Sequence, residues 1–214
     1  MITLWGRSNS INVQKVLWAL GELGLGFEHV DAGGDAGGLD APAFRAMNPH
    51  GRVPVLKDGE RAIWESNTIV RYLFAAYGDE ALCPREPLAR AAYEGWMDWT
   101  CATLQPAIMG LFWSWYRTPE ASRNAALNAR FIAESAAAIR MLDGWMASRP
   151  FVAGDAFSMA DVPTGTLMHR YFNLAVGRPE APAIEAWRAR LAEREPYRLR
   201  VMRDFSELFG RTRD

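Results

Sequence analysis

Cysteine is scarce in this chain: Cys83 and Cys101 are the only two in 214 residues. They form neither a C-x-x-C pair nor a metal-spaced cluster, so no disulfide framework and no metal site is expected. Net charge is also lacking, since 24 Lys and Arg face 25 Asp and Glu. Without a broad field of one sign, neither nucleic acid nor an acidic membrane is an expected partner. No apolar stretch is long enough to span a bilayer. The start, MITLWGRSNS, has no basic head followed by an apolar run, so it does not read as a signal peptide. Internal repeats and low-complexity tracts are missing as well. These absences point to a soluble, cytoplasmic protein. Large flat side chains, by contrast, are plentiful, with nine Trp and ten Phe. They suit a big helical core or an apolar ligand cavity.

The spacing of apolar residues divides the chain in two. Residues 2–6 read as a strand. Residues 11–24 carry Val13, Val16, Leu17, Leu20 and Leu23 at helical spacing, and Gly24 stops that helix. Phe27 to Val30 reads as a second strand, the Gly-rich and Asp-rich stretch 31–40 as a loop, and 42–47 as a short helix. Val53 to Leu56 reads as a strand, Asp58-Gly59 as a hairpin turn, and Arg61 to Ile63 as its partner. A helix follows over 65–77. This βαβ, loop, ββα order predicts a small mixed-sheet domain over 1–78. Residues 79–88, with two prolines and four charges, read as a linker. Over 89–214 the strand signals vanish. Leu88, Ala92, Trp96, Trp99 and Thr103 recur at helical spacing, and Pro106 is expected to kink or end that helix. Further helices are expected over 120–147 (Leu127, Phe131, Ile139, Leu142 and Trp145 inward), 159–175, 182–194 and 196–204.

Four places in the first domain carry residues suited to chemistry. The segment Ser8-Asn9-Ser10-Ile11-Asn12 precedes a helix, whose free N–H groups and positive dipole end favour an anion. A serine hydroxyl there either caps the helix or favours a bound thiolate. In Asn48-Pro49-His50-Gly51-Arg52-Val53-Pro54, the proline marks a strand edge if trans. If it is cis, Val53 turns its N–H and C=O outward to pair with an extended peptide. In Trp64-Glu65-Ser66-Asn67, Ser66 either caps a helix or holds a ligand carboxylate, while Glu65 accepts from an ammonium group. Arg52 and His50 are either solvated charges or partners of a second carboxylate. The order of these four describes a groove for a short peptide bearing two carboxylates, one ammonium and one thiol.

On these residues the chain closely resembles the glutathione transferases over nearly its whole length. Ser10-Ile11-Asn12-Val13-Gln14-Lys15-Val16 resembles the serine-type activating segment of the phi, theta and delta-like classes. Asn48-Pro49 with Arg52-Val53-Pro54-Val55-Leu56 resembles the family's glutathione-backbone motif, in which the proline is cis. Glu65-Ser66-Asn67-Thr68-Ile69 resembles its γ-glutamyl-binding motif. Phe157-Ser158-Met159-Ala160-Asp161-Val162 resembles a helix-start capping box of the second domain, a structural feature by its own logic as well. The resemblance implies a thioredoxin-like α/β N-terminal domain, an all-helical C-terminal domain and a homodimer, with glutathione as co-substrate. It implies that Ser10 donates to the glutathione sulfur, that Val53 pairs with the cysteinyl backbone, and that Glu65 and Ser66 hold the γ-glutamyl end. Arg52 stands where some classes place a residue that contacts glutathione. The chain lacks the activating tyrosine and cysteine of other classes, with Trp5 at the strand end. Asn12 and Ser8 remain alternatives to Ser10.

In this family the electrophile sits between the domains, which makes Met109, Trp113 and Tyr116 candidates for its wall. They share a helical face and are equally suited to core packing. If they line the site, the pocket is flat and apolar, and Tyr116 is placed to donate to developing negative charge. The implied reaction is attack of glutathione thiolate on an apolar electrophile. Glutathione-dependent peroxide reduction, dehalogenation or isomerisation are alternatives on the same scaffold, and so is a non-catalytic glutathione-binding module.

Overall fold

A computed structural model describes residues 1–212; the last two residues of the helical region expected over 89–214 lie outside them. The first part is a four-stranded sheet of β1 (Ile2–Trp5), β2 (Phe27–Val30), β3 (Val55–Asp58) and β4 (Arg61–Trp64), in the order β2-β1-β3-β4. β1 runs parallel to β2 and antiparallel to β3, and β3 and β4 form the hairpin. Helix α1 (Ile11–Glu22) makes the crossover between the parallel strands, as parallel pairing requires. With α2 (Pro42–Met47) and α3 (Ser66–Tyr77), these elements give the α/β thioredoxin-like arrangement.

Alternation along the strands sorts the two faces. Ile2, Leu4 and Leu56 point into a core shared with α1 and α3. Val55 points the other way, into a small cluster with Phe44 of α2 and Ala32. The third strand starts two residues later than its apolar run suggests. Pro54 has no N–H to give a ladder, so pairing begins at Val55, opposite Trp5 and Trp64. Val53 therefore stands ahead of the sheet.

The rest is helical: α4 (Pro87–Trp99), α5 (Gln105–Leu111), α6 (Ala125–Met146), α7 (Asp161–Phe172), α8 (Pro182–Ala192) and α9 (Glu195–Arg200). Pro106, expected to kink or end the first of these runs, does not end it. Thr100–Leu104, immediately before α5, winds with i→i+5 hydrogen bonds, and Phe112–Arg117 after it does the same. A widened turn relieves the clash between a proline ring and the preceding turn, so the axis continues. Several inward assignments also fail. Leu88, 80% exposed at the first turn of α4, and Ala92 and Thr103 of the same expected stripe face solvent, as do Leu127 and Trp145 on α6. The Trp145 indole nonetheless lies 5.0 Å from Trp96, with its N–H on the Val152 carbonyl at 2.9 Å. No helix among the described residues is long and apolar enough to cross a membrane.

The two parts share one continuous core. Trp18 of α1, fully buried, lies 4.7 Å from the Tyr197 ring and 5.6 Å from Phe157. Its indole N–H donates to Glu22 at 2.7 Å, and Arg194 grips the same carboxylate through two bonds of 2.9 and 2.6 Å. The capping segment behaves as its sequence predicts: the buried Asp161 carboxylate accepts the Ser158 N–H at 2.9 Å. It also takes the Val152 N–H and the Trp187 indole, tying α7 to α8.

Gly6 closes the seam between β1, α1 and Val53. Its φ is +151°, and a Cβ there would lie 2.5 Å from Val13 Cγ2 and 3.2 Å from Val53 Cβ. Overpacking at so tight a junction costs about 1–3 kcal/mol. Gly6→Ala is therefore expected to lower the unfolding free energy by about 2 kcal/mol. Urea denaturation followed by far-UV circular dichroism checks this, and an unchanged midpoint would count against the packing argument.

Candidate glutathione site

A cleft with two connected lobes opens where α1 begins. The larger lobe, about 480 Å³, is lined by Ser10, Asn12, Arg52 and Val53 on one side and by Met109 and Trp113 on the other. The smaller, about 220 Å³, is lined by Asn12, Arg52, Val53, Pro54, Glu65 and Ser66, with His50 and Gln105 completing it. Asn12, Arg52 and Val53 belong to both lobes. Residues from four separate sequence segments thus converge on one groove.

Ser10 is the residue before α1, in extended conformation with φ −73° and ψ 124°. Its carbonyl accepts the first helical bond, from the Gln14 N–H at 2.9 Å. Its hydroxyl makes no capping bond, so its oxygen does not accept from the helix's own N–H groups. Ser8 is not among the residues lining either lobe. Asn12, one turn in, has its Oδ1 occupied by donors from Ser66 Oγ at 3.4 Å and Gln105 Nε2 at 3.5 Å.

The loop carrying Val53 is held by Asn48, which is buried. Its side-chain amide donates to the Arg52 carbonyl at 2.7 Å, and its Oδ1 accepts the His50 N–H at 2.9 Å. The Val53–Pro54 bond is cis. Glu65 precedes α3 with φ +69°, the one non-glycine residue in the left-handed region among the described residues. Such a conformation costs about 1–3 kcal/mol and is found where a site demands it.

Met109 and Trp113 line the larger lobe, but Tyr116 does not. Its ring stacks on Phe112 at 5.3 Å, and its hydroxyl donates to the Phe205 carbonyl at 3.4 Å. Trp113 and Tyr116 both lie in the widened segment Phe112–Arg117, and of the two only Trp113 lines the lobe. The flat apolar wall expected from the sequence is also incomplete. Arg7, Arg52, Arg117 and Arg170 line the same lobe. Among the described residues, no group of three or more His, Cys, Asp or Glu is placed to hold a metal ion.

Beneath the floor lies Lys15, which sequence reasoning passed over as one more residue of the helix. It is 1% exposed, and its Nζ donates to Gln105 Oε1 at 2.7 Å and Asn67 Oδ1 at 3.4 Å. The chain of contacts Lys15–Gln105–Asn12–Ser66 joins α1, α3 and α5 under the cleft.

The comparisons with known proteins agree with this geometry. Residues 4–81 match the family model "Glutathione S-transferase, N-terminal domain", and residues 104–195 match "Glutathione S-transferase, C-terminal domain". The chain is 40% identical over 204 residues to glutathione S-transferase GstB of Escherichia coli strain K12, covering 94% of this chain and 98% of that one. The chain belongs to the glutathione S-transferase family. A theta class glutathione S-transferase from Xanthomonas axonopodis pv. citri, solved with glutathione bound, superposes with a TM-score of 0.90 at 44% identity, covering 95% of this chain and 98% of that one. Glutathione S-transferase 3 of Zea mays is 28% identical over 210 residues, 94% of this chain and 93% of its own.

Burial pushes the Lys15 ammonium down from 10.5 to about 8, against the opposing pull of Cys101 and Glu65. Between these values the unfolded chain holds a proton that the folded chain has released. Stability therefore rises with pH across that window. The difference in unfolding free energy between wild type and Lys15→Met is expected to move by about 2 kcal/mol in favour of wild type from about pH 8 to about pH 10. Urea titrations at the two pH values check it, and a difference that does not change with pH would place the Lys15 charge outside the fold's balance.

Proposed function

We propose that this transferase binds glutathione across the smaller lobe and delivers its thiolate into the larger one, against an electrophile held between the sheet domain and the helices. The observation that carries this reading is the Ser10 hydroxyl, left uncapped at a helix N-terminus on the wall of the cleft. Glu65 and Ser66 hold the γ-glutamyl end, the first as acceptor for the ammonium and the second as donor to the carboxylate. Val53 meets the cysteinyl backbone, and Arg52 with His50 lies toward the remaining carboxylate. The sulfur then reaches the start of α1, where the dipole and the Ser10 hydroxyl stabilise its anion.

A thiol near pKa ~8.5 is mostly protonated at neutral pH. Lowering it by two units takes about 2.7 kcal/mol, within the range of one charge-assisted hydrogen bond plus a helix terminus. The proximity of thiolate and electrophile in a cleft shielded from water supplies the rest. Asn12 is the alternative sulfur partner: its Oδ1 accepts from Ser66 and Gln105, which anchors the side chain and leaves the Nδ2 donors for the sulfur. On this reading residues 1–78 form the glutathione domain, 79–88 the connection, and 89–214 the electrophile and dimerisation domain.

We also infer a homodimer in a cytoplasmic setting. Both cysteines are free, as a reducing compartment allows, and Leu88, Tyr77 and Trp64 leave apolar surface exposed near the junction of the two parts. Sedimentation equilibrium at micromolar concentration is expected to return a mass near twice the chain's 23.9 kDa. A monomer mass would remove the dimer.

The direct test of function uses glutathione and 1-chloro-2,4-dinitrobenzene. Ser10→Ala is expected to lower kcat/KM by about 10- to 100-fold, corresponding to a bond to charge of about 1.5–3 kcal/mol. Its pH profile is expected to move upward, toward the free thiol. Asn12→Ala is expected to lose less. Unchanged activity in Ser10→Ala would remove Ser10 from the sulfur. Glutathione binding without turnover of any electrophile would favour a binding module.

A further inference from the structure

The larger lobe holds more positive charge than an apolar electrophile needs. Arg170, on α7, is 3% exposed, yet it lines this lobe. Its guanidinium lies over both the Phe112 and the Phe205 ring, at 4.5 and 4.6 Å. Among the described residues it donates one hydrogen bond, from Nη2 to the Asn9 carbonyl at 3.2 Å, and meets no carboxylate. A guanidinium has five N–H donors, and burying one without an anion is costly. Burial, with Arg117 and Arg7 adding repulsion, pulls Arg170 down to about 10 against the opposing pull of Tyr116. Two neighbouring carboxylates are otherwise engaged: Glu207 accepts from Asn9 at 2.7 Å, and Asp35 pairs with Arg211 at 3.1 Å. Among the described residues, no Asp or Glu lines the lobe.

The apolar part of the wall is nonetheless present. Met109, Phe112, Trp113 and Leu208 face the same space, and Trp113 carries the Arg117 guanidinium 4.2 Å over its ring. A flat body and a negative group would thus meet matching surfaces at the same time.

We propose that the electrophile of this enzyme is an anionic one: an apolar, aromatic-sized body carrying a carboxylate that seats on Arg170. This rests on the reading that glutathione thiolate is delivered into the same cleft. The carboxylate would take the unused N–H donors of Arg170, a charge-assisted pairing roughly twice as strong as a neutral one. With a chloroarene acid, the thiolate sulfur bonds to the ring carbon bearing chlorine, the C–Cl bond breaks, and chloride leaves with the electron pair. The thiol proton has already gone to solvent, and nothing is oxidised or reduced.

Glutathione has carboxylates of its own, so the test is run with glutathione saturating. In the binding arm, 3-nitrobenzoate and 3-nitrobenzamide, which do not react, are titrated against tryptophan fluorescence. The acid is expected to bind at least about tenfold more tightly than the amide. Arg170→Gln is expected to bring that ratio near one. In the turnover arm, kcat/KM is measured for 4-chloro-3-nitrobenzoate and its amide, each divided by its uncatalysed rate with glutathione. The acid is expected to lead, with the loss in Arg170→Gln falling on KM. Equal binding of the unreactive pair, or a preference that survives Arg170→Gln, overturns the proposal. So does an Arg170→Gln variant that weakens glutathione binding while keeping the preference, since Arg170 would then serve the tripeptide. If the amide alone is turned over, the anionic subsite falls and the transferase reading stands. If the acid binds tightly and neither chloride reacts, the subsite stands and the transferase reading falls.

Discussion

Helix α1 has to be an interior helix and a site wall at once. Nine of its twelve residues are buried, because the sheet lies on one flank and the helical half on the other. A helix enclosed on nearly all sides has its polar residues committed to internal partners. Gln14 and Lys15 go inside with the aliphatic residues, and Lys15 is tolerated only because Gln105 and Asn67 supply acceptors. Its N-terminus is left open, and there Ser10 and Asn12 line the cleft. Free N–H groups, a dipole end and a hydroxyl then coincide at the place where an anionic sulfur is wanted. The position of α1 thus follows from packing, and the chemistry follows from which end is left uncovered.

The same logic separates the two lobes of the cleft. The smaller is built by the sheet domain and the Gln105 end of α5. It is polar, narrow and organised by short-range contacts such as those of Asn48. The larger is built by contributions from Arg7 to Leu208, nearly the whole chain. Residues that far apart in sequence can impose a charge pattern that no local segment announces. The four arginines of the larger lobe are a case in point, since each sits in a segment whose own pattern reads as loop or helix.

This explains what could and could not be read from the sequence. The sheet domain was legible nearly residue by residue, because its strands alternate and its turns carry Gly and Pro. The segments around Ser10, Val53 and Glu65-Ser66 were legible too, since each binds one part of a peptide through a few consecutive residues. The start of β3 was misplaced by two residues: apolar spacing does not register that Pro54 has no donor for the ladder. Tyr116 was assigned to the wall because regular helical spacing puts it on one face with Met109 and Trp113, whereas Phe112–Arg117 winds with i→i+5 bonds. Leu88 and Trp145 were assigned inward on the same assumption of a uniform stripe. Lys15, Gln105 and Arg170 gave no local signal, since their roles depend on what lies opposite them in space. Arg170 in particular follows a segment recognisable only as a helix start.

The two widened turns flanking α5 have an evolutionary corollary. Each residue added to or removed from a helix rotates everything downstream by about 100°. The extra residue within Thr100–Leu104 therefore fixes which side chains of α5 look toward Lys15 and which toward the cleft. Substitutions along this stretch can be absorbed by local repacking, but a one-residue insertion or deletion would exchange wall for interior along the whole of α5. Length, rather than side-chain identity, is the property of this segment that descent within a lineage would have to preserve.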